Sequence, residues 1–269
     1  MNRLLMASLA LLAAGGTAFA ADLPMPAAPV YKAPPAPAPS WTGCYINAGG
    51  GGGISRSHDT DTVIVGGSSF PVAIATDNGG AGWLGIAGAG CDYQFHAMAW
   101  DFVIGAFGDY TWMDLHGVSS HPFAGGGIAG DSVERSAWAG GLRLGVLVTP
   151  NLLGYTNGGY TGTHYSQEND YFSFTGIPTG GSIPAHNYNG WFLGGGTEYA
   201  LNWSWLPING LFWRSEYRFS YYDAVNLAAI STVTGVPLPV GIHTSKEVQT
   251  VYTELVWRFN WAGPMAARF

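Results

Sequence analysis

The stretch LFWRSEYRFSYY, residues 211–222, decides the fold class because it sets three charged residues inside an aromatic run. In a strand, successive side chains point to opposite faces. Arg214, Glu216 and Arg218 would then share one face, and Trp213 and the other large side chains would lie on the opposite one. A helix would scatter the charges around its axis. The pattern therefore predicts a strand with one apolar face and one charged face.

Segments of similar composition, bounded by Gly, Pro, Asn, Asp and Ser, recur along the chain. We predict strands over residues 41–54, 81–93, 98–113, 132–149, 152–165, 188–202, 208–222 and 246–260. Their connections alternate between short turns and four long polar loops, residues 55–80, 114–131, 166–187 and 223–245. Short turns at one end and long loops at the other are typical of outer-membrane β-barrels.

The first 20 residues have a basic start, a short apolar core and the small-residue motif Ala18-Phe19-Ala20. This pattern predicts a secretory signal peptide cleaved after Ala20, and an uncleaved membrane anchor is the alternative. Residues 21–40 are rich in Pro and Ala, which favours an extended spacer lying in the periplasm. Residues 41–261 form the predicted barrel, and residues 262–269 form a tail.

Composition supports a membrane barrel over a soluble one. Only 10% of the 269 residues are charged and 14% are aromatic, and no second apolar run reaches the roughly 18 residues of a membrane helix. A soluble barrel of the lipocalin type is the alternative, because alternation alone does not say which face is inside. We predict an all-β protein, an eight-stranded antiparallel up-and-down transmembrane barrel. The aromatic residues suited to its interfacial girdles are Trp41, Trp112, Trp191, Tyr221, Trp257 and Trp261.

The charged faces predict what fills this barrel. An eight-stranded barrel is only wide enough inside for side chains, so inward charges should pair. We predict a plugged interior in which five acids face five arginines. They are Asp101, Asp109, Glu198, Glu216 and Glu254, against Arg135, Arg143, Arg214, Arg218 and Arg258.

The remaining acids fall mostly in the predicted long loops, which gives an acidic outer surface. Divalent cations could bridge such acids to lipopolysaccharide, or the charges could simply keep the loops solvated. These acids, with the two cations among them, are Asp59, Asp61, Asp77, Asp114, Asp131, Glu134, Glu168, Asp170 and Asp223, with Arg56 and Lys246.

Several residues suggest chemistry without a firm motif. Six histidines in or beside the predicted loops raise the idea of a metal or haemin site, but they lack a ligand spacing. His164, Ser166 and Glu168 resemble the His-x-Ser arrangement of lipid A esterases, although the acid is too close in sequence. Cys44 and Cys91 would be near neighbours on adjacent strands, either as a disulfide or as two thiols. The six histidines are His58, His116, His121, His164, His186 and His243.

Four stretches resemble a family of small outer-membrane surface antigens of alphaproteobacteria, the porin-family or outer-membrane immunogenic proteins. They are SWTGCYINAGGGG, DFVIGAFGDY, RSEYRFS and VWRFNWAGP. The resemblance implies an eight-stranded barrel with a structural or surface role in the outer membrane of a Gram-negative bacterium. Some relatives bind haemin and others behave as weak porins, but no fixed motif carries either property. Cys44 and the glycine run at residues 49–53 depart from the family pattern.

We therefore expect a structural surface barrel and not an enzyme, with no catalytic, cofactor-binding or metal-binding residues. A small porin or haemin-binding protein is the alternative. The expected partners are outer-membrane lipid and lipopolysaccharide, with periplasmic contacts through the Pro-rich segment, no nucleic acid, and a monomeric state. The aromatic end that directs assembly would come from residues 257–261 or from Phe269.

Overall fold

The computed structural model describes residues 39–121, 127–201 and 210–259. The expected signal peptide, nearly all of the Pro-rich segment and the C-terminal tail lie outside these residues, as does Trp261. Within the described part of the chain, no helix is long and apolar enough to cross a membrane.

Eight long antiparallel strands form a closed barrel. The last of them, β11, pairs with β1 as well as with β10, so the sheet has no free edge around the barrel. Three short strands, β2, β7 and β8, extend hairpins at one end. The eight barrel strands are β1 (Gly43–Val65), β3 (Thr76–Ala97), β4 (Trp100–His121), β5 (Ile128–Thr149), β6 (Leu152–Tyr165), β9 (His186–Ala200), β10 (Leu211–Ser231) and β11 (Pro237–Phe259). The short strands are β2 (Ser68–Pro71), β7 (Glu168–Phe172) and β8 (Pro178–Ile183).

The barrel strands are longer than predicted. Much of what was predicted as long loop is strand, and β1 continues to Val65 while β11 begins at Pro237. The prediction was wrong because these segments are rich in Ser, Thr, Asp and Gly, a composition that suggests loops. They nevertheless continue the backbone ladder, with register unbroken between β1 and β11 from Cys44 to Val63.

The two ends of the barrel differ in their connections. At one end, which we call the turn end, Met98 and Ala99 join β3 to β4 with φ of 49° and 68°. At the other, the loop end, Gly66 and Gly67 close the β1–β2 hairpin with φ of 61° and 83°. Both are two-residue turns with left-handed backbone at each position, which suits glycine and strains other residues.

The outward face carries a belt of aromatic side chains. Tyr160 pairs with Trp191, and Trp191 pairs with Tyr221, in adjacent strands. The ring of Trp138 lies 5.7 Å from that of Tyr160, and Tyr110 pairs with Trp138. The belt therefore crosses five strands at one height, as an interfacial girdle does.

A second set of exposed aromatic side chains lies nearer the turn end. Tyr199 pairs with Trp213, and each is eight residues along its strand from the belt residue Trp191 or Tyr221. Eight residues on a tilted strand span about 20 Å, close to the roughly 25 Å apolar band of such barrels. Leu193, exposed between the two levels, is one of the apolar residues on this outer face.

The lumen is filled in layers. Trp41 is fully buried at the turn end, where its ring packs 4.8 Å from that of Phe212. Its predicted role in an outer girdle is therefore wrong, because the chain before β1 turns this side chain inward to close the barrel. Charged side chains follow, and beyond them lies an apolar layer that includes Leu84, Met113 and Leu115.

Candidate functional site

Glu198 is the centre of an ion network that crosses the lumen. This carboxylate is fully buried, and it accepts hydrogen bonds from three arginines on different strands. The closest contacts are 3.0 Å from Arg143, 2.9 Å from Arg214 and 2.6 Å from Arg258. Asp92 accepts further bonds from Arg143 and, at 2.6 Å, from Arg258. These charge-assisted hydrogen bonds give the buried charged groups partners without water.

A second ion cluster lies nearer the loop end than the first. Arg218 donates to Asp109 at 2.8 Å and to Glu216 at 3.0 Å. Glu216 also accepts from the hydroxyls of Tyr155, at 2.7 Å, and Tyr252. The two clusters together occupy the part of the lumen between the aromatic levels.

Aromatic rings seal the gaps between the guanidinium groups. Arg258 lies 5.1 Å from the ring of Trp41, and Arg218 lies 4.7 Å from the ring of Phe192. Such stacking favours arginine over lysine in a buried network. In the described part of the lumen, the cavities beside these groups are about 10 and 20 Å³, which is space for about one water each.

Eight of the ten residues predicted for this network lie in it, and two do not. Arg135 is half exposed and pairs with Asp114 at the surface, because bulges in β4 and β5 reverse the facing of the strand there. Asp101 lies beside the β3–β4 turn and contacts His96. The prediction also missed Asp92, because β3 is too rich in glycine for alternation to reveal its inward face.

We predicted that the acids at the loop end lie on the outer surface, and this prediction is wrong for four of them. Asp59, Asp61, Glu134 and Glu168 are buried because the extended strands turn them into the lumen. Asp77, Asp131 and Asp223 are exposed, as expected. Asp59 illustrates the buried class, since it accepts hydrogen bonds from Ser57 at 2.7 Å and Asn78 at 2.8 Å.

His121 is the buried member of the six loop-end histidines. Its Nδ1 lies 3.0 Å from Asp61 and its Nε2 lies 3.3 Å from Glu168. Burial lowers its pKa, but the hydrogen bonds and charges of these carboxylates outweigh that effect and raise the pKa to about 10. Burial raises the pKa of nearby Asp170 to about 6, although the charge of His121 opposes this shift.

The other five histidines contact separate partners and are not gathered into one site. His58 lies 2.5 Å from Asp77, and His116 lies 3.0 Å from Asp114. His164 and His243 lie beside Asn187 and Asn226, and His186 packs against the ring of Tyr188.

The residues of the predicted His-x-Ser arrangement do not meet. His164 is exposed and bonds to Asn187 at 2.7 Å. Ser166 donates its hydroxyl to the carbonyl of Val133, and Glu168 faces into the barrel beside His121. No nucleophile, base and acid are therefore aligned by these three residues.

Cys44 and Cys91 are joined by a disulfide, the first of the two alternatives from the sequence. They face each other in the β1–β3 register, with Cα atoms 3.9 Å apart. Tyr45, the next residue, is buried in the lumen, so alternation places the disulfide on the outer face near the turn end.

No protein-family model matches the chain. Among solved structures, the outer membrane protein OprG from Pseudomonas aeruginosa is 11% identical, with a TM-score of 0.45 and coverage of 83% of this chain and 100% of that one. The attachment invasion locus protein Ail of Yersinia pestis is 10% identical, with a TM-score of 0.34 and coverage of 80% and 99%.

A relative by sequence is the 31 kDa outer-membrane immunogenic protein of Brucella melitensis. It is 30% identical over 245 residues, which cover 86% of this chain and 91% of the relative. The protein of the same description from Brucella suis matches equally well. The chain belongs to the family of 31 kDa outer-membrane immunogenic proteins and is a β-barrel of the Gram-negative outer membrane.

Proposed function

We propose that the protein is a non-enzymatic structural and surface protein of the outer membrane, whose charge-filled lumen blocks the passage of solutes. The observation that carries this proposal is the network around Glu198. It joins β5, β9, β10 and β11 through buried side chains that meet inside the lumen.

The geometry of the network favours a plug over a pore. A conducting lumen needs a continuous water path, whereas the cavities of about 10 and 20 Å³ accommodate single waters. Opening a path would separate buried arginines from their carboxylates, and unpaired buried charges are strongly destabilising. Trp41 adds a second obstruction at the turn end.

The proposed work of the barrel is mechanical and interfacial. The loop end would face outward and the turn end the periplasm, where the Pro-rich segment would make its contacts. The exposed carboxylates Asp77, Asp131 and Asp223 would form part of the acidic surface presented to lipopolysaccharide. The outward apolar face is suited to lipid around the whole barrel, which favours a monomer.

Planar-bilayer recording of refolded, lipopolysaccharide-free protein tests the proposal. We expect no stable conductance steps, whereas a general porin measured in the same membranes should give them. A variant with Glu198→Ala and Arg258→Ala, checked for folding by heat-modifiable migration, should leak if the network is the plug. Large, stable steps from the wild-type protein would refute the proposal and favour the small-porin alternative.

A further inference from the structure

A cluster of metal-ligating side chains lies at the loop end, outside the ion network. His121 ends β4, and Glu168 and Asp170 lie on β7. These elements meet because β5 pairs with both, with Ile128 opposite His121 and Gly130 opposite Asp170. One potential ligand atom from each of the three side chains lies within 4.8 Å of the others.

The cluster carries more negative charge than its single imidazole can balance. Two carboxylates, Glu168 and Asp170, lie beside one histidine, which Asp61 also contacts. Asp61, His121 and Glu168 are each more than nine-tenths buried. Such a concentration of buried carboxylates is costly without a cation.

One carboxylate oxygen at this site lacks the partner that burial demands. Asp170 Oδ1 is sealed from solvent, and among the described residues no group donates a hydrogen bond to it. Asp170 is also one of the residues that line a cavity of about 60 Å³, together with Asp61 and His121. That volume accommodates an ion together with one or two waters.

The orientation of His121 matches that of a metal ligand. With its Nδ1–H donated to Asp61, the Nε2 atom faces Glu168. A carboxylate that holds one ring nitrogen while the other faces the metal is the usual outer-shell arrangement around zinc. Ser119 fixes Glu168 in turn, donating to its second oxygen at 3.1 Å.

We propose that His121, Glu168 and Asp170 form a binding site for a divalent transition-metal ion, with Asp61 orienting the histidine. One imidazole and two carboxylates suit Zn²⁺ or a similar ion better than Ca²⁺, which takes oxygen ligands. The ion takes the place of the proton that otherwise joins Nε2 to Glu168. In tetrahedral coordination at about 2.1 Å two ligand atoms lie about 3.4 Å apart, so the ligand atoms, now within 4.8 Å of one another, must move closer together when the ion binds.

Zn²⁺ titration of refolded, lipopolysaccharide-free, chelator-treated protein tests the site. Calorimetry and metal analysis after gel filtration should find one high-affinity Zn²⁺ per chain, and Zn²⁺ should raise the unfolding temperature. Intact protein that retains no Zn²⁺ would overturn the proposal and leave the cluster as a proton-mediated contact.

A matched pair of variants locates the ion. Asp170→Asn should weaken Zn²⁺ binding at least about tenfold and abolish the thermal shift. Asp77→Asn should change neither, although Asp77 also lies beside a histidine, the exposed His58. The reverse result, with binding lost in Asp77→Asn and kept in Asp170→Asn, would place the ion at the surface and refute the assignment. Co²⁺ absorption spectra of the wild-type protein give an independent test. A spectrum typical of coordination by oxygen atoms alone would exclude His121 as a ligand.

Discussion

Replacing Glu198 with glutamine tests how much the ion network contributes to stability. The carboxylate accepts five hydrogen bonds, three of them at Oε2 from Arg143 and Arg214 and two at Oε1 from Arg258. Glutamine retains an acceptor toward Arg258, but its amide nitrogen would face the other two guanidinium groups. Removing one partner of a buried ion pair costs about 3–5 kcal/mol. Because both of these arginines keep a second carboxylate, we expect a loss of about 3 kcal/mol.

Urea unfolding in lipid bilayers, followed by tryptophan fluorescence and heat-modifiable migration, measures this loss. Glu254→Gln is the matched control, because Glu254 lies in the same network but accepts from only one arginine in the described structure, at 3.3 Å from Arg214. We expect the control to lose about 1.5 kcal/mol, the low end of the range for a hydrogen bond to a charged group, because it has a single, long arginine contact. Equal losses for the two variants, or a loss below about 1 kcal/mol for Glu198→Gln, would refute the central role of Glu198.

Three further outcomes are expected. The Cys44–Cys91 bond closes a loop with a sequence separation of 47, so its reduction should lower stability by up to about 4 kcal/mol, and alkylation without reductant should leave the protein mass unchanged. Replacing Met98 with Asn and Ala99 with Gly should raise the unfolding free energy by about 1 kcal/mol, because both positions have left-handed backbone; an unchanged urea midpoint would contradict this reading. Burial raises the pKa of Glu134 from 4.5 to about 7, so its contribution to stability is full below pH 4.5 and is lost as pH rises through 7, by about 3 kcal/mol. Glu134→Gln should reduce the pH dependence of the urea midpoint between pH 4.5 and pH 8. An unchanged pH dependence would exclude this carboxyl as the cause.

The facing of β10 was predictable because its charges alternate strictly with large apolar side chains. Arg214, Glu216 and Arg218 are buried and Trp213 is exposed, as expected from period two. The prediction failed for Arg135, where a bulge adds a residue and reverses the alternation. Composition does not signal such a bulge.

The loop-end cluster of His121, Glu168, Asp170 and Asp61 could not be predicted from the sequence for a different reason. Its histidine and acids come from β1, β4 and β7, which only the register brings together. The polar residues at positions 55–65 suggested a loop, so no facing was assigned to Asp61. Once those residues are read as strand, Asp61 shares its face with Ser57 and Asp59, which are buried too.

The length of the strands has a consequence for how a partner would meet this protein. Ten residues of β10 continue beyond the aromatic belt residue Tyr221, which corresponds to about 25 Å above the lipid surface. These residues are held by ladder hydrogen bonds to β11 for most of that height. A molecule that docks at the hairpin tips therefore contacts a scaffold already fixed in shape, and little conformational entropy of the chain remains to be lost on binding.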